Sequence, residues 1–250
     1  MIDRPGAVIE GLDIRGPVVI EAKNVILRNC KVTAQSDVVV LIKPGVTGAA
    51  VQNCEISNQG AGGAGIAGQG LFIGNNIHDC ADGIDVRGSN TTIEGNYIHD
   101  MNGPADSHYD GIQADGGFSN LKILRNTVVN QKDQTSAIML DNYWGPVRNV
   151  TIDGNLLVGG GYTTYLQESS SSFWGDGHGG HPITNVTYSN NHVVPGQYGD
   201  LHLVTDLGAS PVIVGNIVLP RDYLQLRANG ALRVLPRASP HSEKRRSLQK

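Results

Sequence analysis

The sequence has little aromatic and little charged content. Of 250 residues, 5% are Phe, Trp or Tyr, with three Phe and two Trp, and 17% are charged. Any core must therefore be assembled from Val, Ile and Leu, and the length is sufficient for one sizeable core. No run approaches 18 consecutive apolar residues, so a membrane-spanning helix is not expected. The opening MIDRPG has neither the charged nor the apolar stretch of a signal peptide. Three cysteines, Cys30, Cys54 and Cys80, lie far apart without a Cys-x-x-Cys pair. They are read as buried thiols rather than as a zinc cage or a disulfide framework.

The net charge of -4 hides an asymmetry. Residues 221–250 hold 8 Lys+Arg against 2 Asp+Glu, and residues 1–220 hold 11 against 21. An acidic body argues against nucleic acid as a partner. The basic, Pro- and Ser-containing end, LPRASPHSEKRRSLQK, has no apolar pattern and is expected to be a disordered tail after a domain spanning 1–220.

The abundant features are 33 Gly and a repeat. Apolar strand, Gly/Asn turn and apolar strand recur as VILRNCKV, AVQNCEI, LFIGNNI, TIEGNYI, KILRNTVV, TIDGNLLV, TYSNNHVV and VIVGNIVL. Aligning the turns stacks Cys30, Cys54, Asn75, Asn96, Asn126, Asn155, Asn191 and Asn216, at intervals of 21 to 36 residues. One such unit cannot bury its apolar face alone, so the pattern predicts about eight stacked coils of a parallel β-helix, an all-β solenoid. The column of Asn is expected to bond along the stack, with Asn chosen because it tolerates a left-handed backbone.

Two coils are long, and their extra residues must project as loops. One insertion, MNGPADSHY, lies between Asp100 and Asp110, and the other, GGGYTTYLQESSSSFWGDGHGGH, between Gly159 and Pro182. The strands DGIDVR (82–87), DGIQAD (110–115) and SAIMLD (136–141) align, with Ile84, Ile112 and Ile138 inward. Asp85, Gln113 and Met139 then form one outward column, Arg87, Asp115 and Asp141 a second, and Asp82, Asp110 and Ser136 a third. Carboxylates stacked about 5 Å apart repel, so at least one should be a weakened acid unless Arg87 or a cation neutralises it. Asp is a poor strand former, which points to function for Asp115 and Asp141. Asp85, Asp115 and Asp141 offer hard oxygen ligands for Ca²⁺, without a regular calcium motif. His108, inside the first insertion, is the acid–base candidate, with Tyr109 beside it. His78 and His99 recur in IHD repeats and are read as a structural rung with Asp79 and Asp100. Tyr143 and Trp144 follow Asp141, where they could stack on a sugar ring or close over the turn.

Over residues 7–220 the layout resembles the right-handed parallel β-helix superfamily of pectate lyases, polygalacturonases and alginate epimerases. Within it, the chain is similar to right-handed β-helix repeat proteins of bacterial secretomes. Asp106-Ser107-His108 resembles the Asp-Pro-His element of alginate C5-epimerases, with Ser for Pro. That resemblance implies His108 as base, Asp106 as neutralising acid, and Asp110 or Asp141 as a second acidic group. The family's Tyr precedes its Asp, whereas here the close Tyr is Tyr109. Against pectate lyases, Arg87 is the sole base candidate, and it faces carboxylates. Gly177-His178-Gly179 and DGID resemble elements of polygalacturonases, in a different order.

The resemblance implies an extracellular or surface protein acting on a polysaccharide by uronate lyase or C5-epimerase chemistry. The catalytic set would be Asp106, His108, Tyr109 and Asp110, with Asp85, Arg87, Gln113, Asp115, Asp141 and Trp144 binding substrate. The alternatives are a glycoside hydrolase using paired Asp residues and a non-catalytic glycan-binding module.

Overall fold

The short apolar strands pair with their equivalents one coil away rather than with their sequence neighbours. The computed structural model, which describes residues 1–228, is a right-handed parallel β-helix of about eight coils. Among the described residues three sheets run its length. The first has nine strands, from Val8–Glu10 to Val212–Val214, and the second nine, from Asp13–Arg15 to Ile217–Val218. The third has eight, from Val18–Ile20 to Gly199–Thr205. Every pairing within them is parallel, so like residues repeat about 4.8 Å apart along the stack.

The core is a set of such columns. In the first sheet Leu27, Val51, Phe72, Ile93, Ile123, Ile152 and Tyr188 stand on successive rungs, none more than 2% exposed. Each fully buried aliphatic side chain contributes about 1.5–3 kcal/mol, and the sum over columns substitutes for the missing aromatics. Cys30, Cys54 and Cys80 are buried free thiols in this core, and burial pushes the Cys80 thiol up to about 12.

A second ladder runs beside the apolar one. From Asn75 through Asn96, Asn126, Asn155 and Asn191 each Nδ2 donates to the Oδ1 of the next Asn, ending at Asn216, at 2.9–3.0 Å, and the same Oδ1 accepts the preceding backbone N–H. The second Nδ2 hydrogen goes to a strand carbonyl, such as that of Ile93 for Asn126. The left-handed backbone lies one residue earlier than the sequence suggests. Asn29, Asn53, Arg125 and Asn190, at φ 51–53°, and Gly74, Gly95, Gly154 and Gly215 make the turn. The column Asn is thus selected for its amide, and the residue before it for φ.

Gly83 and Gly111 in the Asp-Gly-Ile strands answer a different need. A Cβ on Gly111 would lie 2.5 Å from the Ala137 carbonyl oxygen and 2.2 Å from Val128 Cγ1. The chain divides at Pro220, and the second unit opens with the short helix Tyr223–Ala228. The expected disorder of the tail falls chiefly on 229–250, outside the described residues.

Candidate active site

The outer face of the third sheet is built by Asp82–Val86, Asp110–Ala114, Ser136–Asp141, Tyr162–Glu168 and Gly199–Thr205. Asp85, Gln113, Met139, Tyr165 and His202 follow one another on successive rungs. Ala114 pairs with Leu140, so Asp115 and Asp141 stand on neighbouring rungs, and Gln167 follows Asp141. At the strand entrance Asp82 Oδ1 accepts the Asp110 N–H at 3.0 Å, and the Ser136 hydroxyl donates to Asp110 Oδ1.

Burial, more than charge, sets the protonation of these acids. Asp110 is 2% exposed and its carboxyl is raised well above the usual range, against the opposing Ser136 bond. Desolvation raises Asp82 to about 6, with the Asp110 N–H bond opposing it. Asp141, 4% exposed, rises to about 6, held down by the Tyr143 N–H bond at 2.9 Å. Asp115 rises to about 7 through burial and then through the charge of Asp141, with the Gln113 amide bond at 2.9 Å opposing. Both carboxyls are thus raised toward neutrality by burial, and Asp115 further by the charge of Asp141.

Aromatic side chains wall this floor. The loop 169–182 is pinned by Asn142, whose Nδ2 donates to the Ser169 and His181 carbonyls and whose Oδ1 accepts the Ser169 N–H. Tyr143 donates to Asp176 Oδ2 at 2.6 Å and stacks on His178 at 4.3 Å. Trp144, 66% exposed, and Trp174 flank Tyr143 edge-on. They bound a groove of about 540 Å³ that contains His108, Asp110, Gln113, Asp115, Asp141, Tyr165, Gln167 and His202. A second part of about 490 Å³ continues it past Asp85 and Arg87, sharing Gln113, Asp115 and Trp144.

The groove therefore gathers His108, Asp110, Gln113, Asp115, Asp141 and Trp144, with Asp85 and Arg87 in its continuation. Arg87 is taken up by Asp85, its Nε donating at 2.6 Å. Asp106 and Tyr109 are not brought in. Asp106 is exposed on the loop turn, outside the residues lining either part. Tyr109 is 5% exposed, packs with Ala81 and Met101, and donates its hydroxyl to the Gly103 and Pro104 carbonyls at 3.0 Å. Its phenol holds the inserted loop. His78 and His99 form the expected rung on the second sheet, stacked at 5.5 Å and each bonded to its Asp at 2.8 Å.

For Ca²⁺, the described residues contain no group of three or more His, Cys, Asp or Glu arranged to hold a metal ion. Asp85 lies in a different column from Asp115 and Asp141 and is bonded to Arg87. Gly177-His178-Gly179 lies in the wall loop, with His178 against Tyr143 rather than on the acidic floor.

Sequence reasoning passed over Tyr165, Gln167, His202, Phe173 and Trp174, all of which line the groove. The second insertion is shorter than the sequence suggests, because Tyr162–Glu168 is an ordinary rung of the third sheet and only 169–182 projects. Aligning YTTYLQE beneath SAIMLD would have revealed Tyr165 and Gln167.

No curated protein matches the sequence. Among solved structures, the A-module of the mannuronan C-5 epimerase AlgE6 from Azotobacter vinelandii is similar at a TM-score of 0.62 and 18% identity, over 85% of this chain. This chain spans 56% of that module, and the likeness is one of fold. The periplasmic alginate epimerase AlgG matches at a TM-score of 0.42 and 14% identity, over 85% of this chain and 74% of its own. An endo-xylogalacturonan hydrolase from Aspergillus tubingensis matches at 0.40 and 14%, over 85% and 59%. No helix among the described residues is long and apolar enough to cross a membrane. Residues 9–157 match the family described as the right handed beta helix region, and with the three parallel sheets this places the chain in that family.

Proposed function

We propose that this chain binds a polysaccharide across the third sheet and hydrolyses a glycosidic bond with Asp115 and Asp141 as its acid–base pair. The observation that carries the reading is their placement, two largely buried carboxyls on neighbouring rungs of the groove floor, both raised by desolvation above the usual carboxylate range. Asp115 donates its proton to the glycosidic oxygen as the bond to the anomeric carbon breaks. Asp141 attacks that carbon, and the Asp115 carboxylate then takes a proton from the water that releases the sugar. The rung spacing of about 4.8 Å is close to the roughly 5 Å carboxyl separation of retaining enzymes. Trp144 and Trp174 supply apolar faces for sugar rings.

The uronate chemistry implied by the Asp-Ser-His element keeps one supporting observation, His108 beside the acidic floor. Its Asp106 and Tyr109 lie away from the groove, which is why hydrolysis is preferred. The test incubates the protein with neutral glycans, pectate and alginate, following reducing ends and absorbance at 235 nm. Reducing ends without absorbance support hydrolysis. New absorbance would give the site to lyase chemistry, and binding without turnover of any polymer would leave a glycan-binding module.

A further inference from the structure

The acidic and basic side chains lining the groove are one-sided. Asp85, Asp110, Asp115 and Asp141 line it, and the one Arg or Lys side chain among its lining residues, Arg87, is already bonded to Asp85. A polyuronate laid here would bring a carboxylate to every sugar without a free Lys or Arg to receive it. The groove also holds a donor in search of a ligand. Gln167 is 3% exposed, lines the groove directly after Asp141 in its column, and its Nε2 has no hydrogen-bond partner. A buried amide left unpaired costs about 1–3 kcal/mol unless a bound group accepts from it. The same groove is lined by Tyr143, Trp144 and Trp174, rings suited to the C–H face of a pyranose.

We propose that the groove selects an uncharged glycan, with Gln167 Nε2 donating to a sugar oxygen and Trp144 covering the ring face. This rests on the reading of the groove as a glycan site and names its substrate class. Asp141 and Asp115 ionise as pH rises through about 6 and about 7 respectively, and His108, Tyr143, Tyr165 and His202 are the other titratable side chains lining this part of the groove, so discrimination against uronates is greatest near pH 8.

Binding separates this from the question of cleavage. Neutral hexamers of the cello-, manno-, xylo- and galacto- series are titrated by calorimetry at pH 8 into the full chain carrying Asp115→Asn. They are compared with oligogalacturonate and oligomannuronate hexamers. The wild-type chain is measured alongside, so that any loss of groove charge through Asp115→Asn is visible. The expected result is binding of at least one neutral hexamer at least about tenfold tighter than either uronate. Trp144→Ala, at an exposed position, and Gln167→Leu should each weaken it about tenfold or more, with unchanged far-UV circular dichroism. A uronate hexamer binding as tightly as the best neutral one overturns the proposal, as does a panel in which no neutral hexamer binds. Neutral binding without turnover in the wild-type chain keeps this inference and removes the hydrolase.

Discussion

Asp115 and Asp141 stand on adjacent rungs of one column, and burial, then the charge of Asp141, raises the Asp115 carboxyl to about 7. Neither acid is neutralised by a cation within the column. Asp115 has the Gln113 amide, and Asp141 has the Tyr143 backbone N–H. Protonation of one of the two near neutrality is the state in which the proposed acid and nucleophile coexist.

The rate of hydrolysis should therefore be bell-shaped in pH. It rises through about 6 as Asp141 ionises and falls through about 7 as Asp115 loses its proton. Asp115→Asn and Asp141→Asn should each lower kcat by about 10²–10⁴-fold. A pH–rate series on each variant checks both the limbs and the loss.

The same burial makes Asp141 a liability to the fold. Its folded pKa of about 6 lies above the usual carboxylate range, so its contribution to stability is full below about pH 4 and is lost as pH rises to 6. The loss is about 3 kcal/mol. Asp141→Asn should raise the urea midpoint at pH 8 and leave it nearly unchanged at pH 4. An inactive variant more stable than the parent at pH 8 is the signature of a functional acid held at a structural cost.

Much of this architecture is legible in the sequence because a solenoid repeats its constraints. The Gly/Asn turns fix the coils, and the two-residue strand period sorts Ile112 and Ala114 inward from Gln113 and Asp115. The inserted loops escape that logic, since nothing in ADSHY repeats. Local crowding of Asp106, His108 and Tyr109 suggested one site, whereas Tyr109 turns its hydroxyl to Gly103 and Pro104 and only His108 reaches the groove. Tyr165 and Gln167 were hidden for the opposite reason, lying on a regular strand taken for part of an insertion.

The Asn ladder should behave as a chain with a weaker end. Asn126→Ala leaves the Asn96 N–H, its amide and the Ile93 carbonyl without their partner. A loss of about 3 kcal/mol is expected. Asn216→Ala, at the partly exposed last rung, should cost less than half as much. Urea denaturation of the two variants tests the gradient.

Glu168 ties the last coil. It is 2% exposed and accepts the N–H groups of Ile183, Leu207 and Ala209 at 2.7–3.1 Å. Glu168→Gln would turn an NH₂ toward these donors, and a loss of about 2–3 kcal/mol is expected. Amide exchange at Leu207 and Ala209 should rise, while exchange at Ile93 stays protected.

The coupled titration expected of Asp115 and Asp141 is measured without any substrate by carbon-13 NMR of labelled aspartate carboxyls. With signals assigned through Asp115→Asn and Asp141→Asn, midpoints near 7 and 6 are predicted, and Asp141→Asn should lower the midpoint of Asp115. Two carboxyls titrating below 5, each indifferent to removal of the other, would contradict it.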